Sequence, residues 1–220
     1  MVFIDIHSHS AYSKPETVVV RNIFPDQKDE AGLTMFYTSG AHPWFLDEER
    51  VDSDMETVRI LAEKEQCIAI GETGLDKIAT TSYAFQRDVF EQHLEIARRL
   101  KKPVMLHCVK SYNEMQKYRS KWNKQIPWIF HWFNAAKDVA MDLIRKNCYL
   151  SFGHMLYTEN SKAYKIFPEI PLENVFFETD DAGYSIEDIY HKAAELRNLS
   201  ISSLQKQVTE NFKRCFDIDL

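Results

Sequence analysis

Residues 67–107 read CIAIGETGLDKIATTSYAFQRDVFEQHLEIARRLKKPVMLH, and the fold follows from how that stretch is punctuated. It opens on CIAI and closes on PVML, short continuous apolar runs of the kind that form strands buried on both faces. Between them residues 83–101 carry a helical period. Val89, Ile96 and Leu100 make one stripe, Phe90, Leu94 and Ala97 widen it, and Arg87, Asp88, Glu91, Glu95 and Arg98 take the exposed face. Strand, helix, strand is the unit from which parallel sheets are built.

Working outward, six more β-rich runs occur at 2–7, 17–24, 34–40, 127–131, 148–153 and 174–180. From residue 52 onward, helical patterns at 53–66, 111–123, 135–147, 185–196 and 200–215 separate them. Eight strands alternating with helices over 220 residues predict an α/β fold, a TIM-type (β/α)8 barrel forming one domain over 1–220. The first third departs from the pattern. Nine residues, 8–16, separate the first two strands, fewer than a parallel crossover usually takes. The barrel is therefore expected to be distorted or shortened in its first two βα units.

Composition excludes several classes. With 45% hydrophobic and 27% charged residues the chain is not a disordered one. No window approaches the ~18 apolar residues of a membrane span, and MVFIDIHSHS has neither the basic start nor the apolar stretch of a secretion signal. Cys67, Cys108, Cys148 and Cys215 are scattered without a C-x-x-C pair, which argues against a disulfide scaffold or a thiolate zinc site and suits the cytoplasm. The net charge of −6 argues against a broad basic surface for nucleic acid. Cutting nucleic acid stays open, because bound divalent cations supply positive charge themselves.

The polar residues that close the apolar runs carry the chemistry. VFIDI ends in His7-Ser8-His9, IAI in Gly71-Glu72, VML in His107, WIF in His131 and VFFET in Asp180. In a (β/α)8 barrel all strand C-termini meet at one face, where the active site is built. His7 and His9, at i and i+2, point the same way. A strand-end His or Asp taken alone is most often just hydrogen-bonded, but five strands each ending in such a residue form a set. Four imidazoles and two carboxylates suit Zn²⁺, Mn²⁺ or Fe²⁺, and the carboxylates admit Mg²⁺. Six donors exceed the needs of one tetrahedral ion, and Glu72 is placed to bridge two ions roughly 3.5–4 Å apart, a geometry used on phosphodiesters.

The motifs FIDIHSH, GAHPW, IGETGLD, FQRDVFEQHLEIARRLKKPVMLHC, FHWFNA, VFFETDDAG and NFKRCF run in order from Phe3 to Phe216. On these the sequence resembles the TatD family of metal-dependent hydrolases, within the wider amidohydrolase-like barrel group. The resemblance implies a TIM-type barrel and a two-metal phosphoesterase, commonly a deoxyribonuclease with exonuclease character, and a monomer. It carries ligand roles onto His7, His9, Glu72, His107, His131 and Asp180. The expected partition gives His7, His9, Glu72 and Asp180 to one ion and Glu72, His107 and His131 to the other. A metal-bound hydroxide would attack phosphorus, with Asp180 steering the water or taking its proton. The partner is then DNA or a small phosphoester, with no membrane. Departures fall outside the ligands. Val109 stands where the family usually has Arg, Asn134-Ala135 replace Ser-Gly, and Asp181-Ala182-Gly183 follow the acid where Pro is usual. These bear on the substrate. Rival readings are a polymerase-and-histidinol-phosphatase-type phosphoesterase, a hydrolase of amides or aminoacyl esters, and a non-catalytic metal-binding barrel.

Further residues have two readings each. His42 of GAHPW is a substrate or supporting contact, or a loop cap. Asp76 orients a ligand or caps a turn. Glu178 lies on the same side as Asp180 and needs a partner, for which a ligating His is suitable. His154 touches substrate or is a plain loop residue. His93 and His191 are expected to be structural. Trp44, Phe45, Trp132 and Phe133 stack bases or wall the loops. The run Lys110, Tyr112, Lys117, Tyr118, Arg119, Lys121, Trp122 and Lys124 is a single-strand track or, more commonly, a solvated helix face.

Overall fold

The computed structural model describes residues 1–10, 12, 14–122 and 125–220. The predicted end of one helix at Asn123, and Lys124 of the basic run, lie outside the described residues. All eight predicted strands form: β1 (Phe3–Ser8), β2 (Thr17–Ile23), β3 (Phe36–Ser39), β4 (Cys67–Asp76), β5 (Val104–Val109), β6 (Trp128–Phe130), β7 (Cys148–Phe152) and β8 (Val175–Phe177). They lie in one sheet in sequence order, with parallel pairing. The helices are α1 (Val51–Ala62), α2 (Tyr83–Leu100), α3 (Tyr112–Lys121), α4 (Lys137–Arg145), α5 (Lys162–Ile166), α6 (Ile186–Arg197) and α7 (Ile201–Phe216). Among the described residues, no helix is long and apolar enough to cross a membrane.

Two compact units emerge from the packing, Met1–Arg21 with His131–Leu220, and Asn22–Phe130. In the first, β7 pairs with β8, and β8 lies beside β1 through a parallel bridge between Ser8 and Asp180. The core there is Ile4, Ile6, Leu150, Phe152 and Val175–Phe177 against Tyr190 of α6 and Phe212 of α7, all buried. In the second, β3, β4, β5 and β6 pair in turn. Of the predicted apolar stripe of α2, Val89, Phe90, Leu94, Ile96 and Ala97 are buried and Leu100 is half-buried, while Gln86 and His93 are buried with them. Ser82 caps that helix by accepting from the Phe85 N–H, and Lys101 ends it in the left-handed conformation.

The irregularity predicted at the start is present. β1 and β2 pair in register from Phe3 with Thr17 to Asp5 with Val19, then shift before Ser8 meets Arg21. A 3₁₀ segment, Pro25–Leu33, occupies the β2–β3 connection where a helix would otherwise stand. One strand is longer than the sequence suggested. The run 67–72 continues as strand to Asp76, because Gly71 and Gly74 do not terminate it. They let it press against β5. A Cβ on Gly71 would meet the Met105 carbonyl oxygen at 2.2 Å, and one on Gly74 the His107 oxygen at 1.9 Å.

Candidate metal centre

In the first unit, His7 of β1, His9 just after it, His131 at the start of the connection after β6, and Asp180 just after β8 come to one place. The His7 and His131 rings lie 4.3 Å apart, and His7 and His9 sit edge to face at 5.0 Å. Asp180 Oδ1 lies 3.6 Å from His7 Nε2 and 3.2 Å from His9 Nε2. Donor atoms of His7, His131 and Asp180 fall within 4.8 Å of one another, and all three residues are buried.

Backbone conformation aims these groups. Asp180 has φ +54° and Trp132 φ +43°, left-handed values that are rare for residues with side chains, rarest for a bulky one. Hydrogen bonds hold both. The Asp180 N–H donates to the His7 carbonyl at 2.9 Å, and the Trp132 N–H donates to Glu178 Oε1. The same Glu178 oxygen lies 3.8 Å from His131 Nδ1.

Beneath His7 lies a network that sequence reading missed. Asp5 is fully buried and accepts from the Tyr12 hydroxyl at 2.7 Å, the Thr179 hydroxyl at 2.6 Å and the Thr179 N–H at 3.0 Å. Burial raises its pKa to about 7 despite those donors. The signal was available, since Asp5 is a charged residue in the middle of an apolar strand.

In the second unit, β4 and β5 present Glu72, Asp76 and His107. His107 Nδ1 lies 2.9 Å from Glu72 Oε1, and its Nε2 lies 2.9 Å from Asp76 Oδ2. His42 joins them, with Nε2 3.1 Å from Glu72 Oε1. Donor atoms of His42, Glu72 and His107 again fall within 4.8 Å, all buried. Within the first unit His131 groups with His7 and Asp180, and within the second His42 groups with Glu72 and His107.

Supporting contacts fix the carboxylates. The Trp44 indole N–H donates to Asp76 Oδ2 at 2.6 Å, and the Ile78 N–H donates to Oδ1 at 2.8 Å. Burial pushes the Asp76 carboxyl up, but the hydrogen bonds from His107, Trp44 and Ile78 outweigh it and hold the pKa at about 2. Asn22 of β2 accepts from the Glu72 N–H at 2.7 Å and from Thr38 at 2.9 Å. Gln86 of α2 brackets the Asp76 backbone, accepting at 2.8 Å and donating at 3.0 Å. Asn22 is a polar residue inside β2, between Arg21 and the apolar Ile23 and Phe24, and that interruption is the signal by which it could have been found.

Other expected residues find plainer places. His93 is buried, its Nε2 accepting from the Ala41 N–H at 2.9 Å and its Nδ1 2.8 Å from the Val89 carbonyl. In the basic run, Arg119 is buried over the Trp128 ring at 5.0 Å and Tyr118 bonds Glu91, so those two do not form a surface track. Phe133 is buried, while Trp44, Phe45 and Trp132 are exposed. Asn134, at a departure from the family pattern, accepts from the Ala163 N–H at the start of α5.

Clusters of buried imidazoles and carboxylates suit a divalent cation, because nitrogen and oxygen donors together match Zn²⁺ or Mn²⁺, and the ion's charge offsets the cost of burying Asp180 and Glu72. A parallel eight-stranded α/β fold with such donors at its strand ends belongs to the class of metal-dependent hydrolases built on a (β/α)8 barrel. Residues 26–217 match the TatD related DNase family, and the chain belongs to that family. An uncharacterised metal-dependent hydrolase of Buchnera aphidicola is 26% identical, over 81% of this chain and 73% of the relative. A protein of Citrobacter rodentium named 3'-5' ssDNA/RNA exonuclease TatD is 29% identical over 73% of this chain and 62% of its own length. The crystal structure of YjjV, a TatD homologue of Escherichia coli K12, superposes with a TM-score of 0.84 over 98% of both chains at 18% identity, which places the fold.

Proposed function

We propose that this chain is a phosphodiesterase of TatD type that cleaves DNA with two divalent cations. The observation that carries the reading is the pair of buried donor clusters, each of three residues with ligand atoms within 4.8 Å and so each the size for one ion. In this reading His7, His9, His131 and Asp180 hold one ion, and Glu72, His107 and His42 hold the other. Asp76 and Glu178 orient the imidazoles, a role in which outer carboxylates keep a ligating ring in place. Zn²⁺, Mn²⁺ and Mg²⁺ all suit the donors. Bound ions acidify a water and neutralise charge that grows on the phosphoryl oxygens. Asp180 stands to take the proton of the attacking water, since it is a carboxylate at the cluster whose orientation the backbone fixes.

The test combines elemental analysis with hydrolysis of a small phosphodiester, single-stranded DNA and a panel of carboxylic and aminoacyl esters in Mg²⁺, Mn²⁺ and Zn²⁺. The expected result is two ions per chain, phosphodiester cleavage, and loss of bound metal with at least 100-fold lower turnover in Glu72→Gln and His131→Ala. If both variants retain metal and activity, the assignment is wrong. Cleavage of esters but no phosphodiester would leave the metal centre standing and overturn the substrate class.

A further inference from the structure

Four rings in the first unit touch in sequence. Trp132 lies 5.4 Å from His154, His154 lies 6.2 Å from Tyr184 with the planes 4° apart, and Tyr184 lies 4.6 Å from Tyr157 at 20°. They come from three connections that follow β6, β7 and β8, so they stand on the same strand ends as His131 and Asp180. The series begins at the residue next to His131. Rings that stack on one another usually hide their faces, yet Trp132, Tyr157 and Tyr184 are 39%, 38% and 40% exposed. Two of the four are held in place. The Trp132 N–H is tied to Glu178, and the Tyr157 hydroxyl donates to the Asp188 carbonyl at 2.8 Å.

Charge says what such a row is for. A chain of net charge −6 gains little from counterion release on a polyanion. Among the described residues, Lys192 lies 5.8 Å from the Tyr157 ring and is already paired with Glu195. Stacking requires no net charge, and every base offers a flat face whatever its identity.

We infer that Trp132, His154, Tyr184 and Tyr157 form a binding site for the bases of single-stranded nucleic acid, seating two or three unpaired nucleotides beside the bond to be cut. This rests on the phosphodiesterase reading for its placement in catalysis, and names the side chains that would seat the bases there. A duplex cannot use the row, because its bases are already stacked.

The experiment uses the full chain with its metal. Binding of a fluorescent twelve-residue oligothymidylate is measured beside an abasic twelve-mer of equal charge, and kcat and KM are measured on the oligonucleotide and on methyl p-nitrophenyl phosphate. Tyr184→Leu is expected to weaken oligothymidylate binding and raise its KM roughly tenfold, to lower the ratio of oligonucleotide to small-diester kcat/KM by a similar factor, and to leave the weak abasic binding in place. Tyr184→Phe restores both. Equal binding of the thymidylate and abasic strands, or no effect of Tyr184→Leu on the thymidylate, overturns the inference while the small-diester rate still upholds the phosphodiesterase. Ring-dependent binding without cleavage of either substrate upholds the base site and overturns the phosphodiesterase.

Discussion

Asp76 shows how a single side chain bears on the centre without standing in it. Its carboxylate takes hydrogen bonds from Trp44, Ile78 and His107, and Gln86 fixes its backbone. It locks the His107 ring so that the other nitrogen faces Glu72. Asp76→Asn keeps the shape and the oxygen but removes the charge, and can present the wrong group to His107. The expected outcome is a 10- to 100-fold loss of metal affinity with the fold intact, read by competitive metal titration alongside circular dichroism. His93 makes the opposite case, a histidine that serves stability. Burial lowers its pKa to about 4, with Arg59 adding to the effect and the Val89 carbonyl opposing it. The unfolded value is about 6.5, so the unfolded chain takes up the proton first. The stabilisation is complete above about pH 6.5 and is lost as the pH falls toward 4, by about 3 kcal/mol in all. Asp5, which burial raises to about 7, contributes a slope of opposite sign over the same window, so the effect is read as a difference between two proteins. In urea unfolding, stability should fall more, or rise less, between about pH 6.5 and 4 in the wild type than in His93→Gln, which can still accept from the Ala41 N–H but does not titrate.

Strand β4 carries more of the site than any other element, and its glycines explain how. Gly71 and Gly74 have φ +143° and +153°, values open to glycine, and a Cβ at either would strike the backbone of β5. Gly74→Ala should cost about 2 kcal/mol or more, from backbone conformation and collision together. Because the obstacle is the His107 carbonyl, activity should fall further than stability does, which paired denaturation and turnover measurements would reveal. The same glycines limited what was legible. In IGETGLD they read as the end of a strand, when their function is close approach, so Glu72 was placed at a terminus although it lies mid-strand. The other strands were legible because burial on both faces leaves an unbroken apolar run. The donors were legible because each interrupts or ends such a run. His42 was less so, since it follows a short strand through a loop, GAHPW, whose polar residues serve turns as readily as sites. Asn22 and Asp5 also interrupt strands, but Asn22 follows the charged Arg21 and is an amide, and Asp5 lies inside its strand rather than at the end where the ligands were sought.

At the scale of the whole molecule, the balance of 27 basic to 33 acidic residues constrains how a nucleic acid can be held. Two mechanisms are available to a single-strand nuclease: lysine and arginine along the phosphates, or aromatic faces against the bases. They differ in their response to salt. For single strands the logarithm of affinity falls with the logarithm of salt at about −0.7 per neutralised phosphate. An enzyme that grips the strand through its metal ions and a row of rings makes few such contacts. With about two of them, raising monovalent salt from 50 to 200 mM at saturating metal should weaken oligonucleotide binding about sevenfold. A basic track of five or more contacts would give a loss of about a hundredfold over the same range. The steeper response would mean that cationic side chains gather along the strand in spite of the net charge, and the ring row would then be at most an accessory to them. The shallow response, with Tyr184→Leu lowering affinity by the same factor at both salt concentrations, would show that the energy comes from stacking, because stacking is the part of the interaction that salt does not screen.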